Sequence, residues 1–224
     1  MSTALPVTER TRVRRKPMRS SHERAVIDAI LDEALICHVG FVTEHGPVVI
    51  PTTHVRVGDT LYVHGSAASH MLGSLAEGID ACVTVTLLDA LVLARTAFHH
   101  SVNYRSVVIF GRATAIDDTS AKLTALAALI DRVAPGRSAA CRPPNAKELV
   151  ATTVLGLPIT EASAKVRSGP PLPDDGEDLA LPYWAGVIPL TTLRGAPINA
   201  PDCTLAWPDD PELSLGSRRP PSAV

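Results

Sequence analysis

The side chains able to do chemistry gather in two short stretches. The first runs Tyr62-Val63-His64-Gly65-Ser66-Ala67-Ala68-Ser69-His70-Met71-Leu72-Gly73-Ser74-Leu75. Leu61 and Val63 alternate with polar or amphipathic neighbours, which is the period of a half-buried strand. Gly65 to Ala68 carry almost no side-chain bulk, so backbone N–H groups are accessible there. Ser69 stands where it can cap a helix that buries Met71, Leu72 and Leu75. Unpaired N–H groups at such a helix start, after a Gly-Ser turn, can seat a phosphate. A strand-to-helix corner that binds nothing uses the same residue types, and this stretch alone leaves both readings open.

The second stretch, Ala97 to Arg105, reads Ala-Phe-His-His-Ser-Val-Asn-Tyr-Arg. His99 and His100 point opposite ways in an extended chain, which argues against a two-histidine metal site. Asn103, Arg105 and Ser106 offer an amide, a guanidinium and a hydroxyl, suited to a phosphate or a heterocycle edge. The same groups can instead hold a polar strand corner together. Trp184 either stacks on a flat ligand or plugs a core or interface. Cys37, Cys82, Cys141 and Cys203 are scattered, so neither a disulfide framework nor a zinc site is expected, and no metal is assigned.

The elements that must position these residues follow from periodicity. Ser20 and Glu23 have capping-box spacing ahead of an apolar stripe of Val26, Ile27, Ile30, Leu31 and Leu35. Strands are expected over 36–42, 48–55 and 60–64, with Gly58-Asp59 as a two-residue hairpin turn. Pro51 places the second of these at an edge or a bulge. Further strands are expected over 81–94 (one strand, or two around Asp89-Ala90), 106–116, 155–166 and 187–190. Thr119 to Val133 reads as an amphipathic helix stopped by Pro135-Gly136, and Asn145 with Glu148 caps a shorter one.

Composition bounds the rest. The chain has 224 residues, 46% hydrophobic but only 4% aromatic, so its core must be aliphatic. A net charge of −2 argues against general nucleic-acid affinity. Residues 1–19 form an Arg-rich arm, read as a solvated tail or a strap across an acidic surface. Residues 168–182 read as an acidic, Pro-rich loop, and 201–224 as a Pro-rich tail. No apolar run approaches the ~20 residues of a membrane-spanning helix, and the start lacks a signal peptide's apolar segment. The expectation is a soluble, cytoplasmic α+β protein, with one domain over 20–200 built around an antiparallel barrel.

Several motifs occur together and in order: Cys37-His38-Val39-Gly40, Ile50-Pro51-Thr52, Gly58 through Ser66, Phe98 through Val107, Lys165 through Pro171, and Trp184 through Leu190. In this the chain resembles the pyridoxamine 5′-phosphate oxidase-like flavin-binding split barrels, on the branch that contains nitroimidazole-resistance proteins. The resemblance covers roughly residues 10–195. It implies a six-stranded split β-barrel with flanking helices, a homodimer, and FMN held in a groove between subunits. The turn Gly65-Ser66 with Ser69 and His70 would take the FMN phosphate, and Ala67 and Met71 would also border the cofactor. Pro51, Thr52, Thr53 and His54 would run along the ribityl chain and ring edge, with His64 nearby. Asn103, Tyr104, Arg105 and Ser106 would close the site, and Trp184 would approach the ring from the partner subunit.

Two departures stand out. Related sequences commonly carry Arg or Lys where His70 stands, and often another basic residue where Gly73 stands. A neutral imidazole is a weaker phosphate partner than a guanidinium. A set of basic residues for a pyridoxine phosphate is also missing, so pyridoxamine phosphate oxidation itself is not expected. What the resemblance implies is an FMN-dependent reductase of small molecules, of the nitro-compound or quinone type, with His64 or His54 as proton donor. The alternative is a binding module that holds flavin, deazaflavin or heme on the same barrel, with His99 or His100 as a heme ligand.

Overall fold

The computed structural model describes residues 4–205. In chain order its elements are β1 (Ser20–Ser21), α1 (Arg24–Glu33), β2 (Ile36–Thr43), β3 (Gly46–Val57), β4 (Thr60–Ser66), α2 (His70–Ala76) and β5 (Asp80–Leu93). Then follow β6 (Ser101–Arg112), β7 (Thr114–Ala115), α3 (Thr119–Val133), α4 (Ala146–Ala151), β8 (Thr152–Pro158), β9 (Glu161–Arg167) and β10 (Gly186–Pro189). The chain divides into two compact units, whose described parts are residues 4–87 with 104–166, and 88–103 with 167–205.

The strands lie in the order β1-β9-β6-β5-β2-β3-β4-β8-β7. Each pairing with a defined register is antiparallel. Among the described residues the sheet counts ten strands with β10, against the six expected, and its hydrogen-bonded path does not close. Part of the excess is local. The segment 155–166 breaks at Pro158 into β8 and β9, and the strand expected over 106–116 starts at Ser101 and is interrupted at Ala113. The strand over 81–94 is continuous through Asp89-Ala90.

β3 changes partner midway, and this explains Pro51. Residues 46–53 pair with β2, whereas His54 to Val57 pair with β4. Pro51 opposes His38 in the half with no β4 register, where a missing N–H breaks no ladder. Gly58, at φ +58°, supplies the left-handed residue that the hairpin turn requires.

The core is aliphatic, as composition requires. Ile27, Ile30 and Leu31 of α1 pack with Val39, Leu61, Val63, Leu75, Val83, Ile109 and Leu155 in one buried cluster. A second cluster joins Ala125, Leu126 and Leu129 of α3 to Val55 and Val154. α3 keeps its expected ends, with Asp118 accepting a hydrogen bond from the Ala121 amide. Asn145 and Glu148 form a reciprocal capping box on α4. The capping box expected from Ser20 and Glu23 does not form: α1 starts one turn later with Glu23 itself at the cap, and Ser21 Oγ accepts from the Glu23 amide.

The basic arm behaves as a strap. Arg10 and Thr8 both bond Glu161, and Arg10 lies 3.7 Å from Asp80 and 5.1 Å over the Phe110 ring. These bonds hold the Glu161 carboxyl below its usual range. Most of the tail expected over 201–224 lies outside the described residues. Among the described residues no helix is long and apolar enough to cross a membrane.

Candidate functional site: a small-residue corner beside an apolar groove

The corner at the end of β4 forms as its residues dictate. Gly65 and Ser66 finish the strand opposite Thr153 and Thr152, and α2 begins at His70. Ser69 caps it, its Oγ accepting from the Leu72 amide at 3.4 Å. Three amides of the turn are committed within the chain. Ala67 N–H donates to Ala151 C=O, Ala68 N–H to Ser66 Oγ, and Ser69 N–H to Ser66 C=O. The amides of His70 and Met71, in the first turn, have no intrahelical acceptor to reach. Ser66, Ala67, Ala68 and His70 are exposed, while Met71 and Leu72 are buried and anchor the helix. A Cβ on Gly65 would come within 3.0 Å of Leu72 Cδ1, so glycine lets α2 lie close against the strand.

One residue earlier, His64 forms part of the wall of a groove of about 510 Å³. Thr53 of β3, the apolar face of α3 (Leu126, Leu129, Ile130, Val133), Arg137 and Thr152 also line it. Nδ1 of His64 is buried and has no hydrogen-bond partner, and burial holds its imidazole below the usual range. At one edge Glu148 is bound by Arg142 and by the Asn145 amide, which hold its carboxyl down at about 2.

His54 is elsewhere. It is 1% exposed and lies beneath α1, its ring Nε2 3.1 Å from the Leu31 carbonyl oxygen. Burial lowers its pKa. A group sealed in this way cannot hand a proton to a bound ring, so the expected proton-donor role is withdrawn from His54. The alternation of β3 predicts a side chain on one face of a strand; it gives no sign that α1 covers that face. Pro51 is exposed, and Thr52 and Thr53 are half-buried on the half of β3 that pairs with β2.

Of the stretch expected to close the site, Arg105 grips Glu33 of α1 through both guanidinium ends, Nη2 to Oε1 at 2.8 Å. Ser106 Oγ donates to Lys165 C=O at 3.3 Å. Tyr104 is half-buried.

The smaller unit has its own polar cluster. Asn103 is buried, accepts from the Arg167 guanidinium and donates to Gly169 C=O at 3.0 Å. Asp174 accepts from Arg95 at 2.8 Å and stands 3.6 Å from His99 Nδ1, and these neighbours hold its carboxyl below the usual range. His100 turns away, with Nδ1 2.9 Å from Thr96 C=O. Trp184 is 63% exposed and folds over Gly186, where a Cβ would fall 2.6 Å from its ring. Only glycine at that position lets the indole lie over the start of β10.

The groove residues of α3 and Arg137 were not singled out by sequence reading. The amphipathic pattern of α3 predicts Leu123, Leu126, Leu129, Ile130 and Val133 facing inward, yet Val133 is 56% exposed, so the stripe is wider than the strands beneath it cover. An apolar stripe running to the last turn, followed by Pro135-Gly136-Arg137, is the signal that was there to use.

With this geometry in view, the chain belongs to the pyridoxamine 5′-phosphate oxidase family, whose pattern matches residues 23–166. Among solved structures it is similar to the FAD and heme binding protein from Mycobacterium smegmatis. The two are 43% identical over 89% of this chain and 98% of that one, with a TM-score of 0.82. It is also similar to the flavocytochrome Anf3 from Azotobacter vinelandii, at 41% identity over 93% of this chain and 98% of that one, TM-score 0.85. A 5-nitroimidazole antibiotic resistance protein from Bacteroides thetaiotaomicron shares the fold at 22% identity over 66% of this chain and 86% of its own, TM-score 0.57. A comparison with curated proteins found no match.

Proposed function

We propose that this protein is a flavin- and heme-binding redox protein, with FAD as its flavin in preference to FMN. The observation that carries the reading is likeness over nearly the whole chain, at 43% and 41% identity, to an FAD and heme binding protein and to a flavocytochrome. The corner supports it. FMN ends in a phosphate monoester of charge near −2, which is best held by a fixed cation. No Lys or Arg stands between Tyr62 and Ile79, and His70 occupies the position where relatives commonly place one. FAD spreads its charge over a diphosphate and adds an adenosine, so it depends less on a cation at that spot. The Gly65–Met71 corner and the Pro51–Thr53 edge would hold the flavin, and Trp184 would approach its ring from the partner subunit.

Bound flavin supplies hydride and electron transfer. The protein's part is to place the ring, keep the phosphates on main-chain amides and exclude water with half-buried groups such as Tyr104. The reaction class is a small-molecule oxidoreduction. The barrel core would be the six strands β2, β3, β4, β5, β6 with its continuation β7, and β8. A homodimer is part of the reading. Ile36, Val42 and Val49 leave an apolar patch on the outer face of β2 and β3, which a second copy would cover.

The test is an absorbance spectrum of purified protein titrated with FAD, FMN and hemin in turn. The reading expects flavin bands in the blue and near ultraviolet, a Soret band, and tighter binding of FAD than of FMN. Neither band appearing would remove it.

A further inference from the structure

We propose that the groove beneath α3 is the heme site and that His64 is an axial ligand to the iron; this rests on the heme reading above. Three features of the groove fit a porphyrin. Its volume, about 510 Å³, lies within the range of about 300–1,000 Å³ usual for cofactor pockets. Leu126, Leu129, Ile130 and Val133 give it a broad apolar wall, which suits a flat macrocycle. Arg137 sets one cation at the wall, complementary to a propionate, while the acid there, Glu148, is already neutralised by Arg142.

His64 supplies what iron needs. It is the imidazole that lines this groove; a buried Nδ1 without a hydrogen-bond partner it shares with His54 and His99, but neither of those stands in the groove wall. The other histidines are otherwise placed. His54 is sealed under α1, His100 is bonded to Thr96, His99 faces Asp174, and His22 Nε2 lies 3.3 Å from Thr11 C=O. His38, His45 and His70 are exposed. The heme ligand expected at His99 or His100 is therefore reassigned to His64. It immediately precedes Gly65, so both cofactors would be served by the end of β4.

The test reconstitutes full-length protein with hemin and compares wild type with His64→Ala, His64→Met, His99→Ala and His100→Ala. Melting curves establish that each variant is folded. Wild type should show a sharp Soret band. His64→Ala should weaken heme binding by at least about tenfold, since even outer-shell partners of a metal site cost about 10–100-fold. Added imidazole should restore its spectrum, and His64→Met should shift both the band and the ferric EPR signal. The two other variants should match wild type. A wild-type spectrum and affinity in His64→Ala, or loss in His99→Ala or His100→Ala instead, overturns the assignment while leaving the heme reading standing. Failure of wild type to take up heme, with flavin still bound, overturns the heme reading and the assignment together.

Discussion

Asn103 and Arg167 hold each other at the base of the Gly169–Pro170 turn. The guanidinium donates to Asn103 Oδ1 and, at 3.3 Å, to Pro170 C=O, while Asn103 Nδ2 donates to Gly169 C=O. Both side chains are buried, 7% and 6% exposed. Replacing Asn103 by Ala removes an acceptor from a buried cation and a donor from a carbonyl. The expected loss is about 1–3 kcal/mol of stability, the cost of leaving a buried polar group unmatched. Urea denaturation checks it; an unchanged midpoint would mean that the pair does not matter.

Burial lowers the His54 pKa, so stability should depend on pH in a defined sense. The unfolded imidazole titrates near ~6.5 and the native one below that. Within that window the unfolded chain binds a proton that the native chain does not. The contribution is therefore complete above about pH 6.5, falls as pH drops toward the native value, and levels off beneath it. His54→Gln, which carries no titrating group, should flatten this slope in urea midpoints measured from about pH 8 to pH 5. His64 shifts in the same direction and leaves a residual slope. Equal slopes in the two proteins would contradict the burial argument.

Ser69 caps α2 and His70 is exposed in its first turn, so the two can be separated by experiment. Ser69→Ala should lower stability by about 1 kcal/mol, the usual worth of an N-cap. His70→Arg should leave stability nearly unchanged and tighten FMN by roughly 1.5- to 5-fold, since an exposed ion pair is worth about 0.2–1 kcal/mol. Isothermal titration with FMN and FAD reads both, and a smaller gain for FAD is expected. No gain for either flavin would mean that the corner does not face a phosphate.

Gly156 of β8 faces a crowded spot. A Cβ there would lie 3.2 Å from Thr60 Cγ2 and 3.3 Å from both Ile116 Cδ1 and Tyr62 Cε1. Gly156→Ala should therefore destabilise by about 1–3 kcal/mol through overpacking. A melting temperature equal to wild type would show that these neighbours yield freely.

Local features were legible in the sequence because their causes are local. The Gly58-Asp59 hairpin, the ends of α3, the Asn145/Glu148 box and the Ser69 cap each depend on residues within a turn of one another. The corner at Gly65–Met71 was legible for the same reason. What escaped depends on distant partners. His54 is buried because α1 crosses β3, and Arg105 is engaged because Glu33 of α1 reaches it; neither follows from the strand's own pattern. The groove arises where α3 meets β3 and β4, so the apolar surroundings of His64 do not follow from the pattern of its own strand. The residue pattern bears on the proposed preference for FAD over FMN only through His70 and Gly73. The proposal rests on likeness to two whole chains and on the lack of Lys or Arg between Tyr62 and Ile79.

Cofactor content tests the central claim most directly. Holoprotein purified without added cofactor would be denatured, its released flavin identified by chromatography, and its heme quantified as the pyridine hemochrome. The account predicts FAD and heme, each in proportion to the chain. FMN in place of FAD, or protein that carries no flavin and acquires none when FAD is supplied, would contradict it.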